Sequence, residues 1–447
     1  MSVIDPGGDP AAEPVVADDS YLRAVTAATE RAVAAAEPIE STFDGAGRAR
    51  HDEIEQSVLA HADELVGLSR DLHAHPEEGF AEHHSVERVT GLLRRHGHRV
   101  ETELGGLATA FRVVAGAGHP HVAVLAEYDA LPGIGHGCGH NIICAAGTGG
   151  FLGAAPVVES LGGRVSLIGT PAEEGGGGKE LLARQGVFDD VDAVVMLHPF
   201  SHDIAVHPFL GRRQVEMVFH GVAAHASAQP FMGRNALDAV VAAYQGVAAM
   251  RQHLPSTDRV HGIITEGGKR PNVVPDRAAA LFYLRSAEPG PLHDLARRVE
   301  AVAAGAAEMT GCGIEVRWDR NPAYLPIRHN DTLAACWARH QSRRGRTSLP
   351  RGVVPEYLTG STDLGNLSHR MPAIHPMIAL EGENLALHTA EFAAAAGSAT
   401  GDRAVLDGAV GLASTTADYL ADAALRRAVG DEFEAAGGAL DVTTFFG

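Results

Sequence analysis

The feature that most constrains this chain is an uninterrupted apolar run, His121–Ala126, followed at once by the acidic residues Glu127 and Asp129. Short apolar runs without alternation are typical of strands that are buried on both faces of a parallel sheet. Parallel α/β sheets place their ligand sites at the carboxyl ends of the strands. The run therefore predicts an α/β fold in which Glu127 and Asp129 stand at a functional edge.

Two potential metal ligands follow in a glycine-rich stretch. Cys138 and His140 are separated by Gly139 and preceded by Gly135 and Gly137. A thiolate and an imidazole at this spacing can hold one borderline-soft cation, and glycine allows the tight backbone path that directs both side chains inward. Because Cys-Gly-His alone is a short motif, a glycine-rich turn with a buried cysteine is the structural alternative.

Two further predicted strands also end in polar side chains. Segment 164–170 runs into Glu173 and Glu174, ahead of a glycine run, and segment 192–197 runs into His198. Taken singly, a glutamate pair is usually a solvated turn and a lone histidine is usually structural. The glycine run lacks the Gly-Lys-Ser/Thr ending of a phosphate loop, and two adjacent acids would repel phosphate. Ligand-type side chains at three consecutive strand ends indicate one shared site.

The candidate ligands come from four segments and are Cys138, His140, Glu174, His198 and His388, with Glu173 beside them. Five ligands suit two cations about 3.5–4 Å apart that share a bridging ligand, whereas a mononuclear site needs three. Adjacent residues of an extended segment point apart, so one glutamate would bind metal and the other could act as general base. A Cys138–His140 nucleophile is the alternative, but it leaves the other candidates without roles.

The pattern changes after residue 210, where polar and apolar residues alternate as they do in half-exposed antiparallel strands. The strands and helices predicted there are 214–220, 236–253, 260–264, 278–284, 292–309 and 313–318. Two helices on a four-stranded sheet form a compact inserted domain. The predicted division is a partly disordered N-terminal extension (1–50), a catalytic domain in two parts (51–210 and 321–447) and the insert (211–320).

Composition excludes several classes of protein. A chain of 447 residues, 45% hydrophobic and 21% charged, is typical of a globular protein with more than one domain. The net charge of −20 argues against nucleic acid or an anionic membrane as partner. Four cysteines are too few for a disulfide framework, and neither a signal peptide nor a membrane span is predicted. We expect a cytoplasmic protein that acts on a small molecule.

Several longer motifs resemble a known family. They are His-Pro-Glu-Glu-Gly-Phe, Glu-Tyr-Asp-Ala-Leu-Pro-Gly-Ile-Gly-His-Gly-Cys-Gly-His-Asn, Gly-Thr-Pro-Ala-Glu-Glu-Gly-Gly-Gly-Gly-Lys, Met-Leu-His-Pro, His-Ala-Ser-Ala and Pro-Asn-Val-Val-Pro-Asp. Together they look like the two-metal aminoacylase and hippurate-hydrolase peptidases. The Glu-Tyr-Asp-Ala-Leu-Pro-Gly form is similar to the aminoacylase-1-like protein 2 branch, which includes aminobenzoyl-glutamate hydrolase subunits. The resemblance spans roughly residues 55–420.

The resemblance implies a zinc-exopeptidase-like α/β catalytic domain with an inserted α+β (ferredoxin-like) lid and dimerisation domain. It implies a metal-dependent amidohydrolase or dipeptidase that cleaves an N-acyl amino acid or an unusual dipeptide. Two divalent ions per subunit are implied, with zinc, manganese and cobalt all suitable. A non-catalytic binding or scaffold relative is the alternative, which loss of a ligand or of the base would have favoured.

The resemblance also implies roles for individual residues. Glu173 would be the general base, and Cys138 would bridge the two metals while the other four candidates bind one each. His225 in the lid would reach the active site of the partner in a homodimer and stabilise the oxyanion, unless it only caps a local turn. Asn272 and Arg285 would grip the substrate.

Three departures from the family pattern stand out. The segment around His388 reads Leu-His-Thr-Ala-Glu-Phe, where the broader family has His-Ser/Thr-Pro. The first 50 residues lie outside the resemblance. Glu127 stands where distant two-metal exopeptidases have a ligand histidine, so Glu127 and Asp129 are expected to support the ligands without binding metal themselves.

Overall fold

The computed structural model describes residues 17–355, 359–382 and 385–446. Its strands are β1 Val100–Thr102, β2 Phe111–Ala117, β3 His121–Ala126, β4 Gly163–Gly169, β5 Ala193–Val195, β6 His198–Phe200, β7 Gly211–His220, β8 Arg259–Glu266, β9 Arg277–Ser286, β10 Gly313–Trp318, β11 Ala373–Ile374 and β12 Met377–Ala379. Its α-helices are α1 Ser20–Ala35, α2 Arg48–Ala60, α3 Ala62–Ala74, α4 His83–Arg95, α5 His140–Leu161, α6 Gly178–Arg184, α7 Ala236–Arg251, α8 Pro289–Thr310, α9 Asp331–Arg343, α10 Leu364–Ser368, α11 Ala390–Ala396, α12 Ala399–Ala421 and α13 Ala423–Ala435. Residues 1–16 of the N-terminal extension that was predicted to be partly disordered lie outside the described residues.

A six-stranded sheet in the order β1-β2-β4-β3-β5-β11 forms the centre of the first domain. Strands β3, β4, β5 and β11 run parallel, and towards the other edge β2 is antiparallel to both of its neighbours, β4 and β1. Every residue of β3 is buried. The predicted buried parallel strand is therefore confirmed, and Glu127 and Asp129 lie beyond its carboxyl end.

Two predicted elements are each divided in the structure. The strand expected to run into His198 ends with β5, and His198 instead begins β6, which pairs in parallel with β12 in a separate two-stranded sheet. The helical spacing of Ile54, Leu59, Leu65 and Leu68 predicts one helix over 51–75, but this stretch forms two helices, α2 and α3. They meet at His61, whose φ of −101° and ψ of 7° lie outside the helical range.

Helix α5 packs tightly between the main sheet and α12. By length and composition α5 could cross a membrane, but 89% of its most apolar window is buried inside the protein, as in the core helix of a globular domain. Glycine makes the close packing possible, because a Cβ at Gly147 would lie 2.5 Å from the Leu125 carbonyl oxygen of β3.

The inserted domain has its own sheet and core. Its strands pair antiparallel in the order β10-β7-β9-β8, and α7 and α8 cover one face. The chain order βαββαβ with this strand order is the ferredoxin-like arrangement that the resemblance implied. Strand β8 forms an edge of the sheet and exposes Ile263 and Ile264.

The packing of α5 predicts that Gly147→Ala destabilises the protein even though alanine favours helices. The added methyl group must displace the backbone of β3, and overpacking of this kind costs about 1–3 kcal/mol. Gly305→Ala on the exposed face of α8 meets nothing within 4 Å, so it should gain up to about 1 kcal/mol. Denaturant unfolding of both variants checks this, and equal stability would contradict the close packing of α5.

Candidate metal centre

Three of the predicted ligands meet in one buried cluster. The side-chain donor atoms of Cys138, His140 and His198 all lie within 4.8 Å of one another. His140 begins α5, His198 begins β6, and Cys138 lies in the glycine-rich turn that follows β3. The turn comes close to β6, since a Cβ at Gly139 (φ 73°) would lie 2.9 Å from the Pro199 ring.

A second group of three shares a member with the first. Cys138, Glu174 and His388 also place their donor atoms within 4.8 Å of one another. His388 is held in position by its backbone N–H, which donates to the Gly137 carbonyl at 3.0 Å. The structure therefore brings all five predicted ligands together as two triads with Cys138 in common.

Asp129 contacts two of these residues, the side chain of His140 and the backbone of Glu174. Its Oδ1 lies 3.0 Å from His140 Nδ1, and its Oδ2 accepts the backbone N–H of Glu174 at 2.9 Å. A carboxylate on one ring nitrogen fixes the tautomer and leaves the other nitrogen for a metal. Asp129 thus supports the ligands, as the sequence led us to expect.

The donor set fits divalent cations. His140 Nε2 and Glu174 Oε1 are buried and have no hydrogen-bond partner among the described residues. Burial and the nearby His140 lower the pKa of His198 to about 4, so its imidazole is neutral, and Nδ1 donates to the Pro199 carbonyl at 2.7 Å. Burial and the Glu174 carboxylate raise the pKa of Cys138, so a thiolate here requires a cation beside it. These are the unsatisfied groups that two metal ions would satisfy.

Glu173 lies beside the triads and does not belong to either of the two. It is 8% exposed, and its backbone carbonyl accepts the hydroxyl of Tyr324 at 2.8 Å. Burial and the carboxylates of Glu127 and Glu174 raise the pKa of Glu173 well above its usual range. Cations on the neighbouring ligands would act in the opposite direction, because they favour the ionised form.

A buried ion-pair network that the sequence did not reveal lies beneath the centre. Lys179 Nζ is 2.5 Å from Glu127 Oε1 and 2.5 Å from Asp363 Oδ1, and all three side chains are fully buried. Burial raises the pKa of Asp363 to about 6. Lys179 follows the glycine run, which resembles a phosphate loop only in its glycines. A lysine separated only by glycines from two acids at a strand end was the available signal.

The centre opens into a cavity of about 220 Å³ between the two domains. This is smaller than the roughly 300–1,000 Å³ of drug-sized sites, so it suits a small substrate. The lid contributes Arg212, Tyr283 and Arg285 to its wall, and Arg285 Nη1 donates to Ser361 Oγ at 3.0 Å. Only Arg285 of these lid residues was predicted.

The two other predicted lid residues lie elsewhere. His225 and Asn272 are neighbours on an exposed part of the insert, where the Asn272 carbonyl accepts the Ala226 N–H. His225 Nδ1 accepts the N–H groups of Ser227 and Ala228 at 3.3 and 3.2 Å, which is the local cap that was the alternative. Neither residue lines the cavity of its own chain.

Comparison with known proteins agrees with this geometry. Residues 210–309 match the model of the peptidase dimerisation domain. The Xaa-Arg dipeptidase of Mus musculus is 35% identical over 83% of this chain and 89% of its own length. One of the p-aminobenzoyl-glutamate hydrolase subunits of Escherichia coli is 36% identical over 62% of each chain.

Solved structures show the same fold. The aminobenzoyl-glutamate utilization protein of Klebsiella pneumoniae has a TM-score of 0.61 at 22% identity, over 79% of this chain and 98% of that one. The YXEP protein of Bacillus subtilis, described as a dinuclear metal binding peptidase, has a TM-score of 0.59 at 21% identity, over 78% and 98%. With its five ligand-type residues, its lid and these relatives, the chain belongs to the M20 family of metal-dependent hydrolases that act on amide and peptide bonds.

Proposed function

We propose that this protein hydrolyses the amide bond of a small N-acyl amino acid or an unusual dipeptide at a two-metal centre. The observation that carries the proposal is the pair of triads that share Cys138, next to a free acid at the floor of a small cavity. The acidic, disulfide-free chain is consistent with our proposal of a cytoplasmic location.

The metal ligands proposed are Cys138, His140, Glu174, His198 and His388. Cys138 would bridge the two sites because it belongs to both triads. Thiolate, imidazole and carboxylate donors suit zinc, and manganese and cobalt are also compatible. Two bound cations supply Lewis-acid activation of water and of an amide carbonyl.

Glu173 is proposed as the general base. Its carboxylate would take a proton from the attacking water and pass it to the nitrogen of the leaving amine. Glu174, its neighbour, faces Cys138 and His388, so the two glutamates have separate tasks. A Cys138 nucleophile would leave Glu174, His198 and His388 crowded around the thiol without a role.

The active site is proposed to be shared between two subunits. His225 and Asn272 are absent from the cavity of their own chain, and the insert matches a dimerisation domain. The exposed Ile263 and Ile264 on edge strand β8 suit a symmetric interface. In such a dimer His225 of the partner subunit would stabilise the oxyanion, and Asn272 of the partner subunit would contact the substrate beside Arg285.

The role of Asp129 predicts that Asp129→Asn lowers metal affinity. The amide cannot serve both His140 and the Glu174 backbone as the carboxylate does, and loss of such support typically costs about 10–100-fold in metal affinity. Chelator competition measures the change. Asp192→Asn is the matched control, because Asp192 accepts a backbone N–H near the other end of β3. An equal affinity in both variants would contradict the role of Asp129.

The separate roles of the adjacent glutamates predict different effects on metal content when each is substituted. Glu173→Gln should keep its metals and lose about 10²–10⁴-fold in turnover, because the amide cannot accept a proton. Glu174→Gln should lose metal content. Elemental analysis and kinetics of both proteins separate the roles, and near-normal turnover in a metal-replete Glu173→Gln enzyme would exclude this base.

The shared site predicts complementation between two inactive variants. His225→Ala and Glu173→Gln homodimers should each be nearly inactive. After subunit exchange half of the dimers are hybrids with one intact site, so activity should return to roughly a quarter of wild type. Mass spectrometry of the hybrids verifies the exchange. Hybrids that form without recovering activity would refute the shared site.

A further inference from the structure

Two arginines lie side by side on adjacent strands of the lid sheet and line the cavity. Arg212 of β7 and Arg285 of β9 are directly paired in the antiparallel register, and both line the cavity. Like charges in this position destabilise a sheet. Burial and the charge of Arg212 accordingly lower the pKa of Arg285. A pair that costs stability in this way points to a task in binding.

Neither guanidinium forms an ion pair with any residue that the structure describes. Arg212 is only 6% exposed, and its Nε has no hydrogen-bond partner among those residues. It stacks 4.2 Å from the ring centre of Tyr324, and its side chain donates a long hydrogen bond to the Pro322 carbonyl at 3.5 Å. In the same cavity Glu174 belongs to one ligand triad, and Glu173 favours the charged form of Arg285 without forming an ion pair with it.

The neighbouring Arg213 shows what a structural arginine looks like in this lid. It is as buried as Arg212 but points to the opposite face of β7. Its guanidinium bonds to Asp319 at 2.6 and 2.8 Å and stacks on Trp318. Among the residues that the structure describes, Arg213 has an acid as its partner and Arg212 has none, and this difference favours an anion that reaches Arg212 from a bound ligand.

We propose that Arg212 and Arg285 form a subsite for two carboxylates, so that the preferred leaving amino acid is acidic, of the glutamate or aspartate class. This rests on the proposed amidohydrolase function. One α-carboxylate would compensate a single guanidinium and leave the other buried and unpaired, whereas a side-chain carboxylate satisfies both. A leaving arginine would add a third guanidinium to the subsite. The proposed preference for an acidic leaving residue therefore differs from the preference for arginine in the name of the mouse Xaa-Arg dipeptidase.

The test compares alanyl and N-acetyl derivatives of glutamate, glutamine and arginine with the metal-loaded enzyme. The wild type should favour glutamate over glutamine at least tenfold in kcat/KM. Arg212→Gln should lower kcat/KM for glutamate derivatives by about 10–100-fold, the value of a charge-assisted bond, and change glutamine derivatives little. Arg213→Gln removes the same charge outside the cavity and should keep the preference. Arg212→Lys should restore part of it.

Each outcome decides between the alternatives. A preference for glutamine or arginine derivatives would overturn the acidic subsite and leave the hydrolase intact. An equal loss for all derivatives in Arg212→Gln would also overturn it, because stacking on Tyr324 would then be the role of Arg212. If no derivative is cleaved, the proposed function fails. Calorimetry with glutarate then decides the subsite, which requires binding that Arg212→Gln weakens and Arg213→Gln does not.

Discussion

The ion pairs of the buried Lys179 ammonium are the interaction on which the rest of the active-site region depends. Lys179 lies in α6, and its ammonium binds Glu127 at the end of β3 and Asp363 just before α10. The Lys179 backbone N–H also donates to Asp363 at 3.0 Å. Removing one partner from a buried ion pair costs about 3–5 kcal/mol, because the remaining charges stay buried without compensation. Three segments that are distant in sequence are therefore fixed together by one charge.

That charge also explains how so many acids can be buried together. Glu127, Asp129, Glu173, Glu174 and Asp363 surround one site, and Lys179 can neutralise only part of their charge. Two divalent cations would supply the remainder, so the stability of this region and metal binding are coupled. Among the described residues the same arrangement leaves the two lid arginines without an ion-pair partner, which is the basis for proposing that the substrate compensates them.

The sequence predicted those parts of the site that follow from local pattern. Cys138, His140, Glu174 and His198 could be predicted because each follows an apolar run. Parallel strands bring their carboxyl ends together whatever their order in the sheet. Lys179, Asp363, Arg212 and Tyr324 were missed, since their importance lies in partners far away along the chain. Which side chain meets a buried acid depends on packing between segments, and no periodicity records it.

The N-terminal extension also makes contacts with distant segments that the sequence pattern does not reveal. Segment 41–50 lies outside the family resemblance, yet the Ala46 N–H donates to the buried Asp418 of α12 at 2.9 Å. Asp418 also lies 2.6 Å from both His51 and His340. These three side chains satisfy one another and Arg343 bonds to His51, so the cluster fastens the extension to the catalytic domain.

The connection between the domains lies next to Glu173, the proposed base, and contains Arg212, the residue proposed for specificity. The chain passes between the two domains twice, near Arg212 and near Tyr324, and these two crossings pair with each other. The Arg212 N–H donates to the Tyr324 carbonyl at 2.7 Å, and the Tyr324 N–H donates to the Arg212 carbonyl at 2.9 Å. The Tyr324 hydroxyl in turn bonds the Glu173 carbonyl. Atoms nearest a hinge move least when a domain rotates. A rotation of the lid would therefore keep Arg212 in register with Glu173, while His225 and Asn272, far from the crossings, would make the largest movement.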